Sequence, residues 1–216
     1  MGDNKIKNRY DRIAPIYDLV EGIMEWGKLA DWREELWTEI QEETGEQEVK
    51  LLEAGVGTGK NIPYYPSNME AYAIDFSERM LSQAGKRVEE TEAEVNLLPM
   101  DIEELEFAAD TFDLIVASCV FCSVPNPVQG FKELKRVCKP EGKIFLLEHM
   151  RSESRPWGKI MDSFNWGSLL FWGANINRRT MENIEQAGLE VIETEDLWFD
   201  VVKKIILAPT IGKSDS

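Results

Sequence analysis

The chain has 216 residues, which is enough for a full hydrophobic core, and hydrophobic and charged residues make up 43% and 30% of it, the balance of a soluble globular protein. Its 40 acidic and 24 basic side chains give a net charge of −16. This charge argues against broad contact with nucleic acid and against docking on anionic lipid, although a neutral or zwitterionic interface stays open. Solubility alone is the simplest reason for the charge.

Targeting signals are missing from the sequence. No apolar run approaches 18 residues, so no membrane-spanning helix is predicted, and the first residues lack the apolar segment of a signal peptide. Three cysteines, an odd number, fit reduced thiols better than a disulfide framework. We therefore expect a cytoplasmic protein.

Helices come first along the chain, and strands then alternate with helices. Apolar residues recur at helical spacing through residues 4–45, interrupted by Pro15, with a second helix at about 26–43. Strands are predicted at residues 49–53, 70–75, 95–100, 112–118 and 143–148. Helices are predicted after Pro66 and at residues 77–90, 127–137 and 180–187. Ser77 is the expected N-cap of the helix at 77–90, Gly188 is expected to end the helix at 180–187, and residues 140–142 are expected to form a turn.

A terminal hairpin is expected from residues 189–197 and 201–208. The alternation implies an α/β fold with a doubly wound, mostly parallel seven-stranded sheet that this antiparallel hairpin closes. We predict a helical lid over residues 1–45 and a single domain over residues 46–216. Ligands of such sheets bind outside the carboxyl ends of the strands.

A glycine-rich turn follows the first predicted strand. Gly55, Gly57 and Gly59 provide a turn without Cβ atoms, so a ligand can lie directly against the backbone. Asp75 ends the next strand, where an acid can accept hydrogen bonds from two ribose hydroxyls. Together these features predict a nucleoside-bearing cofactor, and a tight strand-to-helix turn without a ligand is the alternative.

Two familiar glycine motifs do not fit this turn. The dinucleotide fingerprint needs a glycine where Lys60 stands, and a phosphate-binding Walker loop needs Ser or Thr where Asn61 stands. With Glu53 ahead of the glycines, residues 53–59 instead resemble motif I of the class I S-adenosylmethionine (SAM)-dependent methyltransferases.

Further segments extend this resemblance over almost the whole chain. Residues 73–77 with Met80 resemble the ribose-binding second motif, and residues 100–102 resemble the segment whose acid meets the adenine amino group. Residues 112–116 match the buried fourth strand. Residues 134–143 resemble the helix-turn-strand signature, with Glu141 in place of a glycine. The resemblance implies a Rossmann-like fold and SAM as the cofactor.

The resemblance also implies which residues meet SAM. Residues 10–18 are similar to the opening of the quinone and phospholipid methyltransferase branch, where this segment folds over SAM as a lid; an amphipathic helix packed on the core is the alternative. The implied cofactor-binding residues are Tyr10, Tyr17, Glu53, Ala54, Gly55, Gly57, Asp75, Phe76, Met80, Asp101, Ile102, Ser118 and Cys119.

The second half of the chain resembles two narrower groups. Residues 122–127, 148–149 and 173–180 are similar to the small soluble bacterial phosphatidylethanolamine N-methyltransferases and to the microsomal thiol methyltransferases of animals. The implied acceptor is hydrophobic or amphiphilic. Our first choice is phosphatidylethanolamine and its N-methyl derivatives. A thiol, a quinone ring carbon, and a SAM-binding regulator without catalysis are the alternatives.

Three residues are candidate catalytic groups. His149, the only histidine, can take a proton near neutral pH, and Glu148 can hold an ammonium nucleophile. Alternation along a strand sends these two side chains to opposite faces, so we expect only one to point at substrate. The alternatives are a structural His149 and a Glu148 that pairs with Arg151. Tyr17, with its hydroxyl towards the ligand, completes the set.

The cysteines are expected to be structural. Cys119 and Cys122 form a C-x-x-C pair, but a zinc site needs a second pair and only Cys138 remains, so no metal is expected. Thiols that line the methyl pocket are favoured, and arsenic binding is the alternative.

A dense aromatic segment covers residues 157–172. It forms either core or a lid over the pocket, or else an amphipathic surface that receives an acyl chain or rests transiently on a bilayer. In the second interpretation Lys159, Arg178 and Arg179 can meet a lipid phosphate.

Overall fold

The structure, a computed structural model, describes residues 28–90, 94–171 and 175–209. Internal contacts divide the chain into two compact units, Met1–Asp101 and Ile102–Ser216. The predicted lid helix lies mostly outside the described residues, as do Tyr10 and Tyr17. The division into a lid at 1–45 and a domain at 46–216 therefore stays a prediction.

The described part of the first unit contains two α-helices and three parallel strands. Its elements are α1 (Lys28–Thr44), β1 (Val49–Ala54), β2 (Met69–Asp75), α2 (Glu78–Glu89) and β3 (Val95–Pro99). The strands are ordered β3-β2-β1 and all pairings are parallel. As predicted, Ser77 caps α2, because its hydroxyl accepts a hydrogen bond from the backbone N–H of Met80 at 3.2 Å.

The predicted helix after Pro66 is wrong. A single turn of 3₁₀ helix, Ile62–Tyr64, lies before this proline, and β2 begins only three residues after it. Pro63 occupies the start of the short helix, where its missing N–H costs nothing. The segment is too short for a full helix between the glycine turn and β2.

Within its described residues, the second unit contains four strands and three α-helices. Its elements are β4 (Phe112–Ser118), α3 (Pro127–Val137), β5 (Cys138–His149), α4 (Arg155–Phe171), α5 (Thr180–Ala187), β6 (Glu190–Trp198) and β7 (Val202–Ala208). The strands are ordered β4-β5-β7-β6. β4 and β5 are parallel, whereas β7 is antiparallel to both of its neighbours.

The strand orders and directions of the two units confirm the predicted mostly parallel α/β fold with a terminal antiparallel hairpin. The backbone of Gly188 is left-handed, with φ of 73°, and ends α5 as predicted.

The predicted turn at residues 140–142 is an irregularity inside β5. Phe112 lies opposite Cys138 and Leu114 lies opposite Lys143, so residues 139–142 bulge out of the ladder. A Cβ atom on Gly142 would lie 2.8 Å from the carbonyl oxygen of Asp113. A glycine is therefore needed where the bulge crosses β4.

The aromatic segment is largely helical, because α4 spans residues 155–171. Trp157, Phe164 and Trp166 are 63%, 67% and 70% exposed, so the core interpretation is wrong for these side chains. Among the described residues, no helix combines the length and apolar character needed to cross a membrane.

Candidate functional site

Left-handed backbone forms the turn after β1. Gly55, Gly57 and Gly59 have φ of 79°, 55° and 85°, which other residues rarely adopt. The N–H groups of Gly55 and Val56 both donate to the carbonyl oxygen of Ile74, at 2.9 and 2.8 Å. The glycines thus bend the chain sharply at the end of the strand, as the sequence predicted.

The glycines of this turn have different neighbours. A Cβ atom on Gly59 would lie 2.7 Å from Cδ1 of Ile62 and 2.9 Å from Cα of Ala84, so this glycine lets α2 pack against the turn. A Cβ atom on Gly57 would meet no atom of the described residues within 4 Å. The backbone of Gly57 therefore borders open space that a ligand can enter.

Asp75 ties the glycine turn to the start of α2. Its Oδ2 accepts a hydrogen bond from the N–H of Gly57 at 3.0 Å, and its Oδ1 accepts one from the N–H of Ser77 at 2.8 Å. The side chain is 7% exposed and stands at a helix N-terminus, where a negative charge is favoured. The carboxylate is thus held in one orientation beside the turn.

The side chain of Glu53 accepts its hydrogen bonds from other side chains in the protein interior. It is 1% exposed, and its carboxylate accepts hydrogen bonds from Nδ2 of Asn61 at 2.9 Å and from the hydroxyl of Tyr65. Burial raises its pKa to about 7, against the lowering effect of these bonds and of Arg33. Both oxygens of Glu53 therefore hold the segment after the glycine turn. This role was not predicted.

The other predicted cofactor residues of the first unit differ in how exposed they are. Ala54 and Met80 are buried, and Phe76 is half-buried. Asp101, the last residue of this unit, is exposed. The buried side chain of Met80 belongs to the core.

In the second unit, Glu148 holds the segment after β4. It is fully buried, and its Oε1 accepts hydrogen bonds from the N–H groups of Val120 and Phe121 at 2.8 and 3.1 Å. Burial raises its pKa to about 7, and Arg178 opposes this rise. The predicted pairing with Arg151 is wrong, because Arg151 forms two hydrogen bonds with Asp162, at 3.0 and 2.9 Å.

His149 has the exposed surface that Glu148 lacks. The two residues are neighbours at the end of β5, and only His149 is partly exposed, in line with the predicted alternation. Burial lowers the pKa of His149, so the imidazole is neutral near pH 7. A neutral imidazole can accept a proton.

Sequence reasoning missed the contacts that fix the segment after β4. The carbonyl oxygen of Cys122 accepts hydrogen bonds from the N–H and Nδ2 of Asn175, at 2.8 and 3.1 Å, and from Nη2 of Arg178 at 3.3 Å. The same Nη2 donates to the carbonyl oxygen of Val124 at 2.7 Å. More than 50 residues separate these partners, so no local pattern could have indicated them.

The thiol of Cys122 is structural rather than reactive. Cys119 has left-handed backbone, with φ of 56°, and its carbonyl accepts a hydrogen bond from Sγ of Cys122 at 3.3 Å. Burial raises the pKa of Cys122 to about 12, which keeps this thiol protonated. Ser118 and Cys119 are half-buried, and Ile102 is buried. No group of three or more metal-ligating side chains comes together within residues 28–90, 94–171 and 175–209.

Gly59 and Gly57 differ in the space they leave for a side chain, and substitution with alanine tests this difference. Gly59→Ala should lower the free energy of unfolding by more than about 2 kcal/mol, because the Cβ meets backbone in a left-handed conformation. Gly57→Ala carries only the left-handed strain, about 1 kcal/mol. Urea unfolding of both variants measures the difference, and equal losses would contradict the assigned packing.

Buried Glu53 should make stability fall as pH rises. Its folded pKa, about 7, lies above the ordinary value of 4.5, so the folded state binds more protons between these values. Stability from this group is greatest below pH 4.5 and decreases by about 3 kcal/mol up to pH 7. Glu53→Gln should remove this part of the pH dependence of the free energy of unfolding. Relative to wild type, the variant should gain most stability at pH 8. If the free energy of unfolding changed with pH in the same way in wild type and variant, the burial effect would be refuted.

The sequence of the chain is similar to those of several methyltransferases. Residues 52–146 match the family model of a methyltransferase domain. A phosphatidylethanolamine N-methyltransferase of Cereibacter sphaeroides is 38% identical over 113 residues, which are 51% of this chain and 56% of that enzyme. The chain thus spans little more than half the length of this relative.

Two other relatives match more of the chain. A thiol S-methyltransferase of Rattus norvegicus is 27% identical over 176 residues, 78% of this chain and 71% of that protein. A demethylmenaquinone methyltransferase of Paenarthrobacter aurescens is 30% identical over 161 residues, 74% of this chain and 61% of that protein.

Solved structures show the same fold. A SAM-dependent methyltransferase from Aquifex aeolicus superposes with a TM-score of 0.59 at 21% identity, over 81% of this chain and 89% of that one. The [4+2]-cyclase SpnF gives a TM-score of 0.62 at 22% identity, over 76% of this chain and 59% of that one. Residues 52–146 are thus similar to a methyltransferase domain, and the chain shares the fold of solved SAM-dependent methyltransferases.

Proposed function

We propose that the chain is a SAM-dependent methyltransferase whose acceptor is hydrophobic or amphiphilic, with the amine of phosphatidylethanolamine and its N-methyl derivatives as first choice. The observation that carries the proposal is the glycine turn, where Gly57 borders open space and Asp75 is fixed beside it. This turn lies inside the matched methyltransferase domain, residues 52–146.

The residues at the turn fit the adenosyl part of SAM. A side chain at Gly57 would project into the open space, and glycine leaves that space to the ligand. Asp75, oriented by two backbone N–H groups, would accept hydrogen bonds from the ribose hydroxyls, and exposed Asp101 would accept one from the adenine amino group. Buried Glu53 positions the segment behind the turn.

Bound SAM would supply a methyl group attached to a sulfonium sulfur. Because this sulfur leaves as a neutral thioether, the transfer needs no metal. The chain must orient the acceptor, exclude water and, for an ammonium acceptor, remove a proton before the nitrogen can attack. Neutral His149 is our candidate for taking that proton on its imidazole nitrogen. Tyr17 stays a proposed catalytic residue outside the described residues.

Glu148 serves the reaction as a positioning residue in this proposal. Its carboxylate holds two backbone N–H groups of the segment that follows β4, and it has no exposed surface. The segment after β4, residues 119–124, is thereby fixed; half-buried Ser118 directly precedes it and half-buried Cys119 is its first residue. We propose that these two residues contact the cofactor.

The choice of acceptor rests on the relatives. The 38% identity favours the phosphatidylethanolamine enzyme, whereas the thiol enzyme matches 78% of the chain, so thiol S-methylation and quinone C-methylation remain the alternatives. A catalytically inactive SAM-binding regulator is a further alternative, because a shared fold does not by itself establish methyl transfer. We further propose a cytoplasmic location, transient membrane-surface contact and no nucleic-acid partner.

A labelled-methyl transfer screen tests the proposal directly. The full chain is incubated with radiolabelled SAM and with phosphatidylethanolamine vesicles, an alkyl thiol or a quinone, and label is counted in each product. Label in the lipid fraction is the expected result. Label only in a thioether or a methylated quinone would replace the first choice by that alternative, and calorimetric SAM binding without any transfer would favour the regulator.

Asp75→Ala is the matched cofactor-site variant for this screen. Loss of hydrogen bonds to a charged group should weaken SAM binding by about 1.5–3 kcal/mol. Because this variant also loses two bonds within the protein, Gly57→Ala serves as a second test that keeps the carboxylate. Undiminished SAM affinity in both variants, measured by calorimetry, would remove the proposed cofactor site.

His149→Asn separates a base from a structural histidine. If His149 takes the proton, wild-type turnover should fall as pH decreases through its pKa, which burial holds below the ordinary 6.5. The variant should lose this step in the pH profile and about 10²–10⁴-fold in kcat. A variant that keeps both turnover and the pH step would discard the base, whereas a raised KM alone would indicate a structural role.

A further inference from the structure

Aromatic and aliphatic side chains of the second unit are exposed on two elements. On α4, Trp157, Ile160 and Phe164 are 63%, 45% and 67% exposed, and their spacing of three and four residues puts them on one side of the helix. At the end of β6 and in the turn that follows it, Trp198 and Phe199 are 48% and 77% exposed. We call these five side chains the aromatic face.

Asp200 brings the two parts of the aromatic face to the same end of the unit. Its Oδ2 accepts hydrogen bonds from the hydroxyl of Ser152 at 2.9 Å and from the N–H groups of Glu153 and Ser154 at 2.7 and 3.3 Å. Ser154 directly precedes α4, and Asp200 directly follows Phe199. The β6–β7 turn is therefore bound to the start of α4, where Trp157 lies in the first turn.

The turn holds Phe199 in a conformation that packing inside the protein does not explain. Its φ is 49°, in the left-handed region that disfavours a bulky side chain, and its ring is mostly exposed. A ring contact with Trp198, 5.9 Å between centroids, keeps the two rings together at the surface. Strain of this kind persists where function requires the residue.

We propose that the aromatic face docks the protein on a zwitterionic lipid bilayer. Trp and Phe partition into the headgroup region of such a bilayer. The net charge of −16 opposes an anionic surface but not one of zero net charge. This surface includes Trp198 and Phe199, which the sequence pattern did not indicate.

A second copy of the chain fits the aromatic face less well. Fully buried aromatic side chains contribute about 150–250 Å² each, so these partly exposed residues offer on the order of 500 Å². A standard protein–protein interface buries about 800 Å² on each partner. A bilayer needs no such continuous area, because each ring inserts separately.

Binding of the full chain to lipid vesicles, measured without SAM so that no acceptor is methylated, tests the proposal. The wild-type protein should cosediment with phosphatidylcholine vesicles, and added phosphatidylserine should weaken binding. Phe199→Gly removes a ring and relieves the left-handed backbone, so vesicle binding should fall about tenfold while the melting temperature stays equal or rises. Trp157→Ala should weaken binding similarly.

Trp166→Ala is the matched control. Trp166 is 70% exposed on the same helix, but nine residues from Trp157 it faces the opposite side, so this variant should keep wild-type vesicle binding. Wild-type protein that stays in solution, or equal losses in the variant and its control, would overturn the proposal. So would a Phe199→Gly variant that changes from dimer to monomer by light scattering with vesicle binding intact. Because the assay needs no methyl transfer, its outcome is independent of the proposed enzymatic function.

Discussion

The hydrogen bonds of Asp75 are the constraint on which the candidate cofactor site depends. One carboxylate accepts from the N–H of Gly57 in the glycine turn and from the N–H of Ser77 at the start of α2. Strand, turn and helix are thereby fixed around a single charge. The turn can remain open at Gly57 because its conformation is held by this carboxylate and by Glu53 rather than by side chains filling the space.

In each unit, one buried glutamate fixes the segment that follows a strand. Glu53 near the end of β1 and Glu148 near the end of β5 each accept two hydrogen bonds from the segment that follows a strand. Burial raises the pKa of both to about 7, so each segment is ordered at the expense of stability at neutral pH. Such a cost is typical of functional sites, where order matters more than maximal stability.

The sequence predicted those features that depend on neighbouring residues. Strand β4, the cap at Ser77 and the left-handed Gly188 follow from local patterns, and the structure confirms them. Helix α4 was not predicted, because several of its aromatic residues are exposed and periodicity identifies a helix by its buried side. The contacts of Arg178 and Asp200 join residues about 50 positions apart, and no local pattern contains them.

The same distinction explains why the cofactor is easier to infer than the acceptor. The glycines and Asp75 lie within 21 residues, inside the matched domain of residues 52–146. The segment after β4 is instead fixed by Asn175 and Arg178, which lie beyond that domain. Relatives named for phospholipid, thiol and quinone methylation all resemble this chain, so the shared motif cannot choose among their acceptors. If residues 119–124 contact the acceptor, then the residues that hold this segment, rather than the glycine turn, set its specificity.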